Sequence, residues 1–247
     1  MLKRALVIGA SSGIGEALAG DLVGAGYKVA CVARREEKLN SVVEAINRRV
    51  GEQRAWSFVA DVVDTDAAPS VFRDVCTTLD GLDLVVFCAG VMPAVDEDTW
   101  DAAIDRQIFE VNVVGASNWL NLAAERFQAQ KSGVIVGIGS VAGDRGRRLQ
   151  PAYCASKAAL HTYLESLRNR LSRHGVHVLT VKPGPVHTPL TAGLDKLPMA
   201  ISAEQAANSI VNAVARRSDV AYVPIQWWPI MTVIRAIPSV IFRRMSI

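Results

Sequence analysis

Short apolar runs alternate with longer segments of helical spacing along most of the chain. "RALVIGA" and "KVACVA" are apolar on both faces, and they are followed by the helical patterns "GEALAGDLVGAG" and "EEKLNSVVEAINRRV". Further runs of the same character are "RAWSFVA", "LDLVVFCAG", "GVIVGIGS" and "VHVLTVKPG". Strands that are apolar on both faces belong in parallel sheets with helices on either side. The pattern therefore predicts an α/β fold with a doubly wound parallel sheet, in a single domain over residues 1–247.

The segment 224–247 departs from this alternation. It is aromatic and apolar, it is interrupted by prolines, and it carries Arg235, Arg243 and Arg244. These interruptions argue against a transmembrane helix, which needs about 20 mainly apolar residues. The segment suits an interfacial helix whose arginines reach a membrane surface. Alternatively, it packs against the core of the protein or against a second subunit. We therefore expect an apolar C-terminal extension that faces substrate, membrane or another subunit.

Composition narrows the class of protein. The chain has 247 residues, of which 50% are hydrophobic and 21% are charged, and its formal net charge of +3 is too weak to indicate a nucleic-acid partner. Its four cysteines lie in apolar or helical contexts without metal-ligand spacing, so we expect free thiols and no metal site. The N-terminal segment lacks the features of a secretory signal. We expect a cytoplasmic protein.

A glycine-rich loop follows the first predicted strand. "VIGASSGIGEAL" places Gly9, Gly13 and Gly15 between a strand and a helix. Glycine permits a close approach of the backbone, and the N–H groups at a helix start attract a pyrophosphate. The spacing GxxxGxG differs from the GxGxxG fingerprint of many dinucleotide-binding proteins. The loop indicates a Rossmann-type dinucleotide site, and a glycine-rich turn without a ligand is the alternative.

The end of the second strand bears on the choice of cofactor. Many NAD-binding domains carry an acidic residue here that binds the ribose 2′-hydroxyl, whereas this chain has Ala33 followed by Arg34 and Arg35. A guanidinium group suits a 2′-phosphate, so NADP(H) is favoured over NAD(H), unless the arginines only flank a solvated helix start. Asp61 follows the third strand, where it can meet the adenine or cap a helix.

A phenol and an ammonium group share one helix face in "PAYCASKAAL". Tyr153 and Lys157 are four residues apart and are therefore neighbours on a helix. A tyrosine has an ordinary pKa of about 10, and a nearby positive charge stabilises its phenolate. Ser140 ends the predicted strand "GVIVGIGS" and can reach the phenol through the crossover. Together, these three side chains can polarise one carbonyl oxygen.

With these motifs the chain resembles the single-domain short-chain dehydrogenases/reductases. The resemblance runs from Lys3 to about Val223. It rests on "GASSGIG" at Gly9–Gly15, "DV" at Asp61 and Val62, "AG" at Ala89 and Gly90, Asn112, Ser140, "YCASK" at Tyr153–Lys157 and "PGPVHT" at Pro183–Thr188. Three positions depart from the family pattern: Ile8 stands where the family usually has Thr, and Phe87 and Cys88 stand where it usually has Asn-Asn.

The resemblance implies a role for each residue of a catalytic set. Tyr153 would act as the general acid in carbonyl reduction and as the base in alcohol oxidation. Ser140 would hold the substrate oxygen. Lys157 would lower the pKa of the phenol and bind the nicotinamide ribose, and Asn112 would hold a water that relays protons. The resemblance also implies a cofactor-binding set, made up of Gly9, Ser11, Ser12, Gly13, Ile14, Gly15, Arg34, Arg35, Asp61, Val62, Ala89, Gly90, Tyr153, Lys157, Pro183, Gly184, Val186 and Thr188.

The substrate is less defined by the sequence. "GDRGRRLQ" places Arg145, Arg147 and Arg148 near the mouth of the expected site, where they can attract a phosphate or carboxylate, or belong to a solvated or subunit-facing loop. This loop and the apolar tail are similar to the subgroup that includes the reductase of polyprenylphosphoryl-ribose 2′-epimerisation. The resemblance implies a bulky, apolar or lipid-linked carbonyl substrate.

The sequence therefore predicts an NADP(H)-dependent oxidoreductase that acts on a carbonyl/alcohol pair. An epimerase or dehydratase of the extended superfamily branch is one alternative, although those chains are usually longer and carry a GxxGxxG loop. A non-catalytic NADP-binding regulator or scaffold is another, for which replacement of Tyr153 or Lys157 is expected; both are present. We expect a homodimer or homotetramer with a small-molecule substrate.

Overall fold

The predicted apolar runs form strands in the structure, which is a computed structural model that describes residues 2–194 and 197–245. The strands are β1 (Lys3–Ile8), β2 (Tyr27–Ala33), β3 (Ala55–Val59), β4 (Leu84–Phe87), β5 (Gly133–Ile138), β6 (Val176–Pro183), β7 (Val186–His187), β8 (Ile201–Ser202) and β9 (Val220–Val223). Seven of them form a parallel sheet in the order β3-β2-β1-β4-β5-β6-β9, and β7 pairs with β8 separately. The predicted doubly wound, Rossmann-type sheet is confirmed.

The helices connect these strands and cover the sheet. They are α1 (Gly13–Gly24), α2 (Glu36–Val50), α3 (Ala68–Leu79), α4 (Ala102–Phe109), α5 (Ala116–Gln130), α6 (Pro151–Leu171), α7 (Ala203–Ala215), α8 (Trp227–Ala236) and α9 (Ser239–Phe242). A π-helical turn at Glu110–Gly115 joins α4 to α5. Helix α6 is the longest of these at 21 residues, and it begins with Pro151, which suits a first helical turn because proline has no N–H to leave unpaired.

Alternate residues of β1 enter two separate layers of the core. Ala5 and Val7 join the cluster that α1, α2 and α7 cover, while Leu6 and Ile8 join the cluster under α3, α5 and α6. All four side chains have no exposed surface. This double burial explains why the strand sequences are continuously apolar rather than alternating.

The strand order reverses direction at β1. The chain runs outward from β1 to β2 and β3, and then continues on the other side of β1 with β4, β5 and β6. The loops that leave the carboxyl ends of β1 and β4 therefore turn in opposite directions. Such a switch point leaves a crevice at the carboxyl edge of the sheet, where ligands of open α/β folds bind.

The C-terminal tail packs partly against the loop that follows β5. Trp227 and Met231 of α8 are buried there. Arg145 donates from Nη1 to the carbonyl oxygens of Ile234 at 2.9 Å and of Ile237 at 2.6 Å, which satisfies acceptors at the end of α8. Its guanidinium therefore binds the tail. Across residues 2–194 and 197–245, no helix is both long and apolar enough to cross a bilayer.

Candidate active site

One cleft of about 1040 Å³ opens at the carboxyl edge of the sheet. Most of the predicted site residues line it: Gly9, Ser11, Ser12, Gly13, Ile14, Arg34, Arg35, Asp61, Val62, Ala89, Gly90, Ser140, Tyr153, Lys157, Pro183, Gly184, Val186 and Thr188. Gly15 and Asn112 are buried behind its wall. The fold thus gathers residues that are spread over most of the sequence.

The glycine loop after β1 is shaped by close backbone contacts. Gly9 has a φ of +94°, and a Cβ at this position would lie 2.5 Å from the backbone nitrogen of Ala89. A Cβ at Gly15 would overlap the carbonyl oxygen of Gly9. Among the described residues, the side chain of Ser12 makes no capping hydrogen bond to α1, so the first-turn N–H groups remain available to a ligand. The loop therefore fits the phosphates of a dinucleotide.

The two arginines after β2 lie at the same end of the cleft. Arg35 donates from Nη2 to the hydroxyls of Ser11 at 2.9 Å and of Ser12 at 2.8 Å. Arg34 Nη1 lies 3.7 Å from Asp61 Oδ2, and the Arg34 side chain is 58% exposed. Because Arg35 bridges the glycine loop to the end of β2, a positive charge is held beside the expected phosphate site.

Ser140 and Tyr153 meet near the opposite end of the cleft. Ser140 is extended and its Oγ accepts from the N–H of Ala142 at 3.1 Å, which leaves the hydroxyl proton free to be donated. Burial raises the pKa of Tyr153 to about 12, while hydrogen bonding with Ser140 and the charge of Arg147 oppose this rise. Tyr153 therefore carries its proton at neutral pH, as a proton donor must. The expected effect of Lys157 on the phenol stays a prediction.

Lys157 is a buried ammonium group one helical turn from Tyr153. Its side chain belongs to a residue that is only 4% exposed, and Nζ donates to the carbonyl oxygen of Ile138 at 3.0 Å. Nζ lies 5.7 Å from the centroid of the Tyr153 ring. Burial lowers the pKa of Lys157 to about 8, and Cys88 opposes this change.

Asn112 lies in the π-helical turn and clamps the loop after β4. Its Oδ1 accepts from the N–H of Val91 at 2.8 Å, and its Nδ2 donates to the carbonyl oxygen of Val91 at 3.1 Å and to Ser156 Oγ at 3.1 Å. A Cβ at Gly90 would lie 3.3 Å from Asn112 Oδ1 and 3.4 Å from Lys157 Nζ, so the amide and the ammonium group approach each other across this glycine. The expected water relay stays a prediction.

The structure adds Trp227 to the site, a residue of the tail for which the sequence leaves substrate, membrane and subunit contacts open. Trp227 lines the cleft and packs over Gly184, and its indole fills the space that a side chain at Gly184 would occupy. No local motif pointed to this contact. Of the three loop arginines, Arg147 lines the cleft, Arg148 lies 3.5 Å from Glu97, and Arg145 binds the tail.

Comparison with known proteins agrees with this arrangement. Residues 3–197 match the family model of the short chain dehydrogenases. The chain belongs to that family. This short-chain dehydrogenase is 33% identical over 224 residues to an uncharacterised oxidoreductase of Staphylococcus epidermidis, covering 88% of this chain and 93% of the relative. An uncharacterised oxidoreductase of Mycobacterium tuberculosis is 28% identical over 234 residues, covering 94% and 92% of the two chains.

A solved structure supports the same assignment. The crystal structure of gox2181 is similar with a TM-score of 0.82 and 27% identity, over 92% of this chain and 96% of that one. This short-chain dehydrogenase is therefore an oxidoreductase of a family that binds nicotinamide cofactors.

The low pKa of Lys157 gives a prediction for stability. A group whose pKa falls from 10.5 to about 8 on folding destabilises the fold fully below pH 8, and this cost disappears as the pH rises toward 10.5. Relative to Lys157→Met, the wild-type free energy of unfolding should therefore rise by about 1–2 kcal/mol between about pH 7.5 and 9.5. Urea unfolding of both proteins measures this difference. A difference that is constant or falls with pH would contradict the assigned burial.

Proposed function

We propose that this short-chain dehydrogenase is an NADP(H)-dependent oxidoreductase that reduces a carbonyl to an alcohol, or catalyses the reverse reaction. The observation that carries the proposal is the convergence of Ser140, Tyr153 and Lys157 at one end of a cleft whose other end is the glycine loop. A bound nicotinamide cofactor supplies or accepts the hydride in this chemistry.

The residues of the chain handle the proton and the substrate oxygen. In reduction, the Tyr153 hydroxyl donates its proton to the carbonyl oxygen as negative charge develops there. The Ser140 hydroxyl donates a second hydrogen bond to the same oxygen. Lys157 stabilises the phenolate that remains, and Asn112 holds a water that relays protons between Lys157 and solvent. In oxidation, the phenolate accepts the proton of the alcohol.

The cofactor would be held along the length of the cleft. The glycine loop, with Ser11, Ser12 and Ile14, would bind the pyrophosphate, and Arg34 and Arg35 the 2′-phosphate. The remaining contacts would come from Asp61 and Val62 at the adenine, from Lys157 at the nicotinamide ribose, and from Ala89, Gly90, Pro183, Gly184, Val186 and Thr188 along the nicotinamide half.

The cleft wall beside Tyr153 supports a bulky apolar substrate with an acidic group. Met92, Leu149, Leu190 and Trp227 line it, together with Arg147. An apolar wall excludes water from the carbonyl, and a guanidinium attracts a phosphate or carboxylate. A lipid-linked carbonyl compound has both features.

The tail supports a second proposal, which is peripheral contact with a membrane surface. Its inner face is buried, whereas Ile225 is 67% exposed, Trp228 58%, Val233 65% and Ile241 54%. Exposed arginines at 235, 243 and 244 accompany these apolar side chains. Apolar groups with basic neighbours favour anionic lipid headgroups. A homodimer or homotetramer that covers this face is the competing arrangement.

Removal of the Tyr153 hydroxyl tests the catalytic role. Tyr153→Phe should nearly abolish NADPH oxidation with a panel of bulky ketones and aldehydes and leave the Kd of NADPH roughly unchanged, because the phenolic proton serves the transition state. Tyr163→Phe is the matched control. Tyr163 lies elsewhere on α6, and its hydroxyl contacts Asn121 at 2.7 Å. If Tyr153→Phe keeps more than about a tenth of the wild-type kcat, the activation barrier has risen by less than roughly 1.4 kcal/mol, and the assigned role is ruled out.

Charge reversal beside the glycine loop tests the cofactor choice. The double variant Arg34→Asp with Arg35→Asp should shift the preference from NADPH toward NADH, because a carboxylate repels a 2′-phosphate and accepts from a 2′-hydroxyl. The control Arg48→Asp makes a similar charge change at an exposed position near the end of α2. Tighter binding of NADH than of NADPH by the wild-type protein would contradict the assignment of Arg34 and Arg35 to the 2′-phosphate.

Vesicle binding tests the tail. The full chain should sediment with vesicles of phosphatidylcholine and phosphatidylglycerol, and salt should weaken this binding. A variant with Trp228, Val233 and Ile241 changed to Ser should bind the vesicles less. A control variant with the exposed residues Leu2 and Val59 changed to Ser should bind them as wild type does. Equal binding of all three proteins, or a fall in oligomer mass in the tail variant without vesicle binding, contradicts the membrane proposal.

A further inference from the structure

A histidine is buried between α6 and the loop that carries Ser140. His161 follows Lys157 by one helical turn, and its side chain is 11% exposed. Glycines make room for its ring: a Cβ at Gly139 would overlap Nε2, and a Cβ at Gly143 would lie 2.7 Å from Cε1. The imidazole therefore occupies a space that neither position can share with a side chain.

The hydrogen bonds of this ring define its tautomer. The backbone N–H of Ser140 donates to His161 Nε2 at 3.3 Å, so Nε2 must carry a lone pair. Burial and then the charge of Lys182 lower the pKa of His161 to about 3, which keeps the ring neutral at neutral pH. The ring proton is therefore on Nδ1, which faces Asp144 Oδ1 at 3.6 Å.

Asp144 is itself fixed by two partners, one on β6 and one on β9. Lys182 Nζ donates to Oδ1 at 2.6 Å, and the Tyr222 hydroxyl donates to Oδ2 at 2.6 Å. The Asp144 side chain is only 2% exposed. Lys182 on β6 and Tyr222 on β9 are also paired in the sheet register. A buried carboxylate with these partners has little freedom to move, and breaking such a buried pair is costly.

We propose that His161 is a positioning residue for Ser140: the imidazole fixes the serine backbone, and the Asp144 cluster with Lys182 and Tyr222 fixes the imidazole. The inference rests on the proposed role of Ser140 in carbonyl chemistry. With its nitrogen bound to His161 and its Oγ bound to the N–H of Ala142, Ser140 has its backbone and the position of its Oγ held in place. The ring contacts the backbone nitrogen of Ser140, so this arrangement serves orientation and not activation of a nucleophile.

Substitutions at position 161 test the inference through the acceptor atom. His161→Gln places a neutral amide oxygen near the Nε2 position, whereas the shorter His161→Asn and the apolar His161→Leu cannot offer an acceptor there. We expect His161→Leu and His161→Asn to lower kcat by about tenfold or more, with the Kd of NADPH within about twofold of wild type. His161→Gln should retain most of the wild-type kcat. His174→Leu, in the short 3₁₀ turn that follows α6, is the control with unchanged kcat.

A spectroscopic measurement tests the same inference without activity. In ¹⁵N-histidine NMR spectra, assigned by comparison with His161→Gln, His161 should have a protonated Nδ1 and an unprotonated Nε2 at neutral pH. A protonated Nε2 overturns the inference, as does wild-type kcat in folded His161→Leu, or equal loss in folded Gln and Asn variants. If His161→Leu does not fold, the NMR spectrum and the comparison of His161→Gln with His161→Asn test the inference. Wild-type activity in Ser140→Ala would instead overturn the proposed function, whatever tautomer the spectrum shows.

Discussion

The hydrogen bond from the buried ammonium group of Lys157 to the carbonyl oxygen of Ile138 is the interaction on which the site depends. It anchors α6 to the carboxyl end of β5, and Tyr153 is carried on the preceding turn of the same helix. An ammonium group that is nearly inaccessible to water loses most of its hydration, which is why the pKa of Lys157 falls to about 8. The buried charge therefore lowers the stability of the fold, and it lies where the proposed chemistry needs it.

A second contact joins the same two elements one turn further along. His161 accepts from the Ser140 nitrogen, two residues beyond Ile138, and thereby connects α6 to the buried Asp144. Arg145, the next residue, holds the end of α8, and Trp227 of α8 returns to the cleft wall. The loop after β5 thus links Ser140 and α6 to the central sheet and to the tail.

The sequence predicts the sheet well because burial on both faces leaves a strong apolar signal, and it predicts the conjunction of Gly9, Ser140, Tyr153 and Lys157 because close approach and helical spacing restrict residue type. It does not predict contacts between distant polar residues. No local pattern marks Asp144, and its partners lie 38 and 78 positions away in the chain. The sequence leaves open whether Arg145 lies at the mouth of the site or in a solvated or subunit-facing loop, whereas in the structure it binds carbonyl groups at the end of α8. Such pairings depend on tertiary structure and leave no local pattern.

A crystal structure of the protein with NADPH tests the central claim most directly, because the claim concerns which groups face each end of one cleft. We expect the pyrophosphate on the loop from Gly9 to Gly15, the 2′-phosphate beside Arg34 and Arg35, and the nicotinamide ribose within hydrogen-bonding distance of Tyr153 and Lys157. Electron density for the dinucleotide outside this cleft, or for a nicotinamide that lies away from Tyr153, would contradict it.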